Sequence, residues 1–324
     1  MMACPLAALG LLFVPALQDP GPLDFLAAAD APWPNDVQDA VLLSGDFVGN
    51  GFTDVITFTP STGAGVLLHS PALWDVQVAL PDPVDDLTVF PNLGASSPVS
   101  PLSASAAGVV LWHWDPEGSW EENLVPGSWS SPRRVATHHV PGAGVVFVSV
   151  LDADMRTVTT QLHLPDDANF FYSVHAFTFG EAIESLTLTD LTGDGHPELG
   201  VELAAGGFQV LGLDGSVVQP GGSGPATRRV EVLATPEGEA FAWMSFLSPT
   251  FHHVHSVSES TTVGPEVLFP YALGAVDAVD LNQDGRTDLV GIAPDSSVVF
   301  LLPQGPGTPN FDPLTAVPND SECD

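Results

Sequence analysis

The chain has 324 residues, 44% of them hydrophobic, enough apolar material for a full core. Its formal net charge is −34, with six Arg and no Lys, a surface that repels nucleic acid and anionic membranes and attracts divalent cations. Thirty-one Gly and thirty-one Pro punctuate short strands and argue against long helices, and no segment sustains a helical period.

The first residues, "MMACPLAALGLLFVPALQDP", carry an apolar run from Leu6 to Leu17. It is too short to span a bilayer and suits the h-region of a secretory signal, with Val14 to Ala16 offering small residues for cleavage. Residues 1–17 are therefore read as a signal peptide or an apolar N-terminal segment. Two other readings are a retained apolar strand and a lipoprotein signal ending in "MMAC", with Cys4 acylated. Residues 18–36 are rich in Asp, Pro and Ala and read as a linker. The expected location is secreted, periplasmic or cell-surface, without membrane insertion. The two cysteines, Cys4 and Cys323, form no CxxC pair, which excludes a structural zinc cluster.

Three acidic stretches lie between apolar runs. "LSGDFVGNGFTDVITFTP" presents Asp46, Val48, Asn50, Phe52 and Asp54 at positions 1, 3, 5, 7 and 9. "LTDLTGDGHPELGVEL" presents Asp190, Thr192, Asp194, His196 and Glu198 at the same positions. "AVDLNQDGRTDLVGIAP" presents Asp280, Asn282, Asp284, Arg286 and Asp288. Crowded carboxylates repel, and a hard cation with six to eight oxygen ligands offsets that repulsion. Side chains at positions 1, 3 and 5 converge on the ion, Gly at position 6 permits the left-handed turn, and the position-7 carbonyl and position-9 acid close the shell. The position-7 residues Phe52, His196 and Arg286 thus enter through their backbone oxygens. The following residues alternate as a strand, so these are calcium-type loops inside β-hairpins and not EF-hands. Two calcium sites are expected at the 280 and 190 loops and a third, weak one at the 46 loop, where Val48 cannot ligate. A single Asp-Gly stretch reads equally well as an ordinary turn; three with common offsets do not.

The first aspartates stand 190 − 46 = 144 and 280 − 190 = 90 residues apart, three times 48 and two times 45. Units starting at Val84, Arg133 and Arg228 keep the strand–turn rhythm without the acids. A unit of about 45 residues with four short strands is a β-propeller blade. The expected fold is all-β, a propeller of six blades over residues 37–316, or seven if the two termini build one together, followed by an acidic tail over 317–324. Closure brings the chain ends together, so a retained Cys4 would meet Cys323.

"DLNQDGRTDLV" and "DLTGDGHPELG" resemble the FG-GAP/VCBS repeats of integrin alpha chains and of many bacterial secreted proteins. The resemblance implies a propeller whose hairpin loops bind calcium through Asp280, Asn282, Asp284 and Asp288, and through Asp190, Thr192, Asp194 and Glu198. It implies a structural ion and an adhesion or ligand-binding role. The expected partner is an extracellular protein or glycan, bound by a monomer.

No G-x-S-x-G elbow, HExxH, P-loop or sialidase-type box is present, so no enzyme is expected. In "FHHVH", Phe251 to His255, alternation puts His253 and His255 on one strand face, but two ligands without a third do not make a site. His138 and His139 point to opposite faces. Trp112, Trp114, Trp120 and Trp129 are dense enough to raise a lectin alternative, although large aromatics more often pack between blades. A hydrolase using the propeller mouth is the remaining alternative.

Overall fold

In a computed structural model, the described residues are 41–49, 54–59, 64–68, 75–80, 84–91, 99–115, 119–140, 143–164, 171–205, 207–222, 229–235, 238–245, 250–257, 260–263, 267–268, 275–279, 286–292, 298–302 and 315–318. The N-terminal segment, Cys4 and Cys323 lie outside them.

Every regular element among the described residues is a strand. The first sheet comprises β1 (Val41–Gly45), β2 (Asp54–Thr59), β3 (Ala64–Leu68) and β4 (Asp75–Ala79). The second comprises β5 (Asp86–Phe90), β6 (Ser100–Ser105), β7 (Gly108–Asp115) and β8 (Ser119–Val125). The third comprises β9 (Pro132–Val140), β10 (Val145–Asp152), β11 (Thr157–His163) and β12 (Phe171–Thr178). The fourth comprises β13 (Ile183–Thr189), β14 (Glu198–Leu203), β15 (Phe208–Gly212) and β16 (Val217–Gly222). The fifth comprises β17 (Arg229–Thr235), β18 (Gly238–Ser245), β19 (Thr250–Val257) and β20 (Ser260–Val263), with β21 (Val267–Leu268) on β19. The sixth comprises β22 (Ala275–Val279), β23 (Asp288–Ile292), β24 (Val298–Leu302) and β25 (Thr315–Pro318). Each is an antiparallel meander in chain order, the rhythm the 45-residue period implies, and β25 runs past the expected tail boundary.

The chain divides into two compact units. Residues 1–83 with 270–324 form one, holding the first and sixth sheets, and there β1 lies beside β22. Residues 84–269 form the other, holding the second to fifth sheets. In this second unit the leading strands are successive neighbours, β5 beside β9, β9 beside β13 and β13 beside β17.

Strand β10 shows how the sheets stack. Its run "VVFVSVLD" is buried through the middle on both faces, as a strand covered on two sides must be. Val146, Val148 and Val150 join a core with Leu102, Val109 and Val125 of the second sheet. Phe147 and Leu151 join another with Leu186, Leu188 and Val201 of the fourth. Each such side chain contributes about 1.5–3 kcal/mol on burial.

Polar contacts then set the sheets against each other. The Val135 N–H donates to Asp86 Oδ2 at 2.9 Å, and the Thr137 hydroxyl donates to the Val89 carbonyl at 2.6 Å. Arg133 pairs with Asp85 at 2.8 Å. The Arg134 guanidinium donates to the Asp85 carbonyl at 2.9 Å and to the Glu184 carbonyl at 3.2 Å, so one side chain spans three consecutive sheets. Asp152 gathers the N–H groups of Ser130, Ser131 and Ala153 and the Ser130 hydroxyl. Burial alone would raise its carboxyl, but these hydrogen bonds outweigh it and hold the group below the usual aspartate range.

Two outcomes are expected. Leu151→Ala, at a fully buried position, should lower unfolding free energy by about 2–5 kcal/mol in urea titration. Asp152→Asn should cost about 1 kcal/mol near pH 7. Because the folded pKa is depressed, that difference is present above the unfolded value and disappears as pH falls through the folded one, which melts of both proteins between pH 7 and acid pH will read.

Candidate cation-binding loops

All three acidic stretches connect the first and second strands of a sheet: β1 to β2, β13 to β14 and β22 to β23. Their register is common. Gly45 pairs with Asp54, Thr189 with Glu198 and Val279 with Asp288, so the position-9 acid opens the second strand opposite the residue that precedes position 1. The three acids are buried, Asp54 and Asp288 completely and Glu198 to 4% exposure.

The 190 loop is described throughout. Asp190 Oδ1 accepts the N–H groups of Gly193 at 2.7 Å and Asp194 at 3.2 Å, and its Oδ2 accepts that of Gly195 at 2.8 Å. The backbone therefore wraps around the position-1 carboxylate. Gly193 at φ 72° and Gly195 at φ 84° make the two left-handed steps of this wrap, with open space where a Cβ would stand. Glu198 reaches back from β14: its Oε2 accepts the Leu191 N–H at 2.6 Å, and its Oε1 accepts the Thr192 hydroxyl at 3.2 Å. Asp194 accepts the His196 N–H at 2.8 Å.

The 46 loop repeats the frame. Asp46 Oδ1 accepts the N–H of Gly49, three residues on, at 2.7 Å, as Asp190 does from Gly193. Asp54 Oδ2 accepts the N–H of Phe47, seven residues back, at 3.0 Å, as Glu198 does from Leu191. Asn50 and Phe52 lie outside the described residues, as do Asp280, Asn282 and Asp284. In the 280 loop, Arg286 is half-buried, while Thr287 and Asp288 are buried.

Burial pushes the Glu198 carboxyl up to about 7, helped by the charges of Asp190 and Asp194 and opposed by the Leu191 N–H and Thr192 hydroxyl. Among the described residues no three His, Cys, Asp or Glu side chains converge as a formed metal site. The donor set nevertheless fits a hard cation: its side chains are all oxygen donors, and like charges surround a buried carboxyl.

The other candidates lie on or beside strands of the second, third and fifth sheets. His252, His253 and His255 lie on β19, opposite Trp243, Ala242 and Ala240. His138 and His139 lie on β9 opposite Phe147 and Val146. Trp112 is buried and donates its Nε1 hydrogen to Ser103 Oγ at 2.8 Å, and Trp129 packs on the core between the second and third sheets, so both serve packing. The contacts of Asp85 and Asp86 with β9 and of Asp152 with Ser131 had no sequence signal, since these partners lie 21 to 49 residues away.

No family model and no curated protein matches the chain. Among solved structures, it is similar to BBS1N in complex with ARL6DN, with a TM-score of 0.58 and 10% identity over 86% of this chain and 83% of that one. It is similar to an arginine-to-alanine mutant of AofleA from Arthrobotrys oligospora, with a TM-score of 0.57 and 11% identity over 86% and 87%. It is similar to virginiamycin B lyase from Staphylococcus aureus, with a TM-score of 0.50 and 10% identity over 86% of each chain. At such identities the likeness carries the fold alone, and that fold is the β-propeller.

Gly195→Ala should lower stability by about 1–2 kcal/mol, because alanine meets no neighbour there but must hold a left-handed backbone. Thermal melting without divalent cations reads this loss, and an unchanged melt would deny the wrapped loop.

Proposed function

We propose that this chain is a non-catalytic, calcium-braced binding module, of the FG-GAP/VCBS kind, that engages an extracellular ligand. The observation that carries the reading is the common frame of the 46 and 190 loops: the position-1 carboxylate bonded to the N–H three residues on, and a buried position-9 acid bonded to the N–H of position 2. The 280 loop shares its strand register and has the fullest donor set. Asp190, Asp194 and Glu198 with Thr192 and the His196 carbonyl would hold one ion, and Asp280, Asn282, Asp284, the Arg286 carbonyl and Asp288 a second. Asp46, Asn50, the Phe52 carbonyl and Asp54 would hold a weak third, since Val48 cannot ligate. The ion supplies positive charge that relieves carboxylate repulsion and fixes the loop. BBS1N, on the same fold, is found in complex with ARL6DN, a precedent that supports a protein ligand here. The acidic surface selects a partner that is neutral or basic at the contact.

Calcium at a hundredfold excess over its dissociation constant should stabilise the protein by about 2.7 kcal/mol per site, since it binds the folded loop and not the open chain. Asp284→Ala should remove much of the calcium-dependent rise in melting temperature. Asp54→Ala should leave that rise intact while lowering the melt in chelator, because the Phe47 N–H loses its acceptor. Equal loss of the calcium-dependent rise in both variants overturns the site ranking, and no rise in the unaltered protein overturns the calcium reading. Capture from a native extracellular fraction with calcium or chelator tests the binding role. A protein or glycan retained only with calcium supports it, and nothing retained in either condition opposes it.

A further inference from the structure

Each meander ends on an outer strand, and the open edge of such a strand is a row of backbone donors and acceptors with which another chain can pair. Most of these edges are short or blunted. Strand β4 has five residues, β20 and β25 have four each, and β25 ends in Pro318. The pairing of β12 with β11 shifts register once, and that of β16 with β15 shifts twice, with Pro220 in β16 as well. Strand β8 is different. Its seven residues pair with β7 in unbroken register, from Val125 on Val109 to Ser119 on Asp115, and none of them is proline, lysine or arginine. Among the described strands it pairs with β7 alone. Glu121, Glu122, Asn123 and Leu124 are all exposed, and Leu124, at 69%, is the most exposed large hydrophobic side chain described.

We infer that the outer edge of β8 is a docking site for an extended basic segment of a protein partner, which adds as a fifth, antiparallel strand. The inference rests on the binding role proposed above and not on the calcium. Charge selects the occupant. Successive residues of a strand point to opposite faces, so Glu121 and Glu122 put a carboxylate on each face of this edge, in a chain of net charge −34. A second copy of β8 would set these carboxylates against each other, and like charges on neighbouring strands repel. A strand with cations at two successive positions answers both. Leu124 shares its face with Glu122, which fixes a third element: an apolar residue two positions before the first cation. Read from its N-terminus, the incoming strand therefore runs apolar, any, basic, basic. Main-chain hydrogen bonds give such an added strand its affinity, and alternate side chains give its specificity.

The probe is the acetylated and amidated heptapeptide TVTKKVT, titrated calorimetrically into the full chain at low salt, with amide hydrogen exchange to locate it. It should bind, and should slow exchange at the β8 amides that face away from β7. The double variant Glu121→Lys with Glu122→Lys changes two exposed side chains. It should melt as the unaltered protein does and bind the peptide about tenfold more weakly, while the peptide TVTEEVT should bind the variant in preference. Two analogues of TVTKKVT, N-methylated on its odd or on its even residues, keep the charge, and one of them should fail to bind. Equal binding by both analogues, or by the scrambled peptide TKVTVKT, reduces the contact to charge attraction and overturns the added strand. No binding of TVTKKVT, or slowed exchange elsewhere and not in β8, overturns it too. Sedimentation of the unaltered chain as a dimer with protected β8 amides makes a second copy the occupant and overturns it likewise. Capture from the native extracellular fraction separates the edge from the binding role. A ligand retained equally by the unaltered protein and the double variant overturns the edge and leaves the role standing, whereas nothing retained by either fails the role itself.

Discussion

A sheet with apolar side chains on both faces cannot stand alone in water, and this constraint governs the chain. Strand β10 buries Val146, Val148 and Val150 on one side and Phe147 and Leu151 on the other, so the third sheet needs a neighbour on each. The fourth is in the same position, with Leu186 and Leu199 in the core shared with the third and Val210 in the cluster that Val232 of the fifth packs against. A repeat that buries two faces favours a succession of similar sheets, each covering the one before. The meander order within each sheet follows, because a four-strand unit with short turns is completed before the chain moves on.

Apolar stacking does not set the angle or register between sheets, and the few cations have a part in that. In a chain of net charge −34, Arg133 and Arg134 stand where β9 meets β5 and β13. Arg133 pairs with a carboxylate, whereas Arg134 is spent on two backbone carbonyls. A planar guanidinium with five donors suits that bridging task, which lysine would perform poorly. Asp152 does the corresponding work with the opposite charge, tying the segment before β9 to the β10–β11 turn.

The loops between first and second strands share this logic. Their position-9 acids are buried because the strand register puts them there, opposite Gly45, Thr189 and Val279. A buried carboxylate needs donors, and the loop backbone supplies the position-2 N–H. The loop is thus organised around its acids before any ion is considered. The proposed cation would extend an electrostatic arrangement that the strands have already imposed. The position-2 residues are apolar in all three stretches, Phe47, Leu191 and Leu281, and in the 46 and 190 loops the buried Phe47 and Leu191 join the charged wrap to an apolar anchor.

The sequence by itself determined the strand rhythm and the location of the acidic loops, because each is local, and left six or seven units open. Alternation, Gly and Pro punctuation, and carboxylates at fixed offsets are all written within stretches of about ten residues. Only the tertiary structure decided which acids turn inward and which residues they serve. Asp54 and Asp46 look alike in the sequence, yet one is buried on a strand end and the other caps a turn. Asp85 and Asp86 look like turn residues and prove to be intersheet acceptors. Their partners are brought close by the stacking of whole sheets, and no pattern confined to one stretch of chain records what another sheet will place beside it.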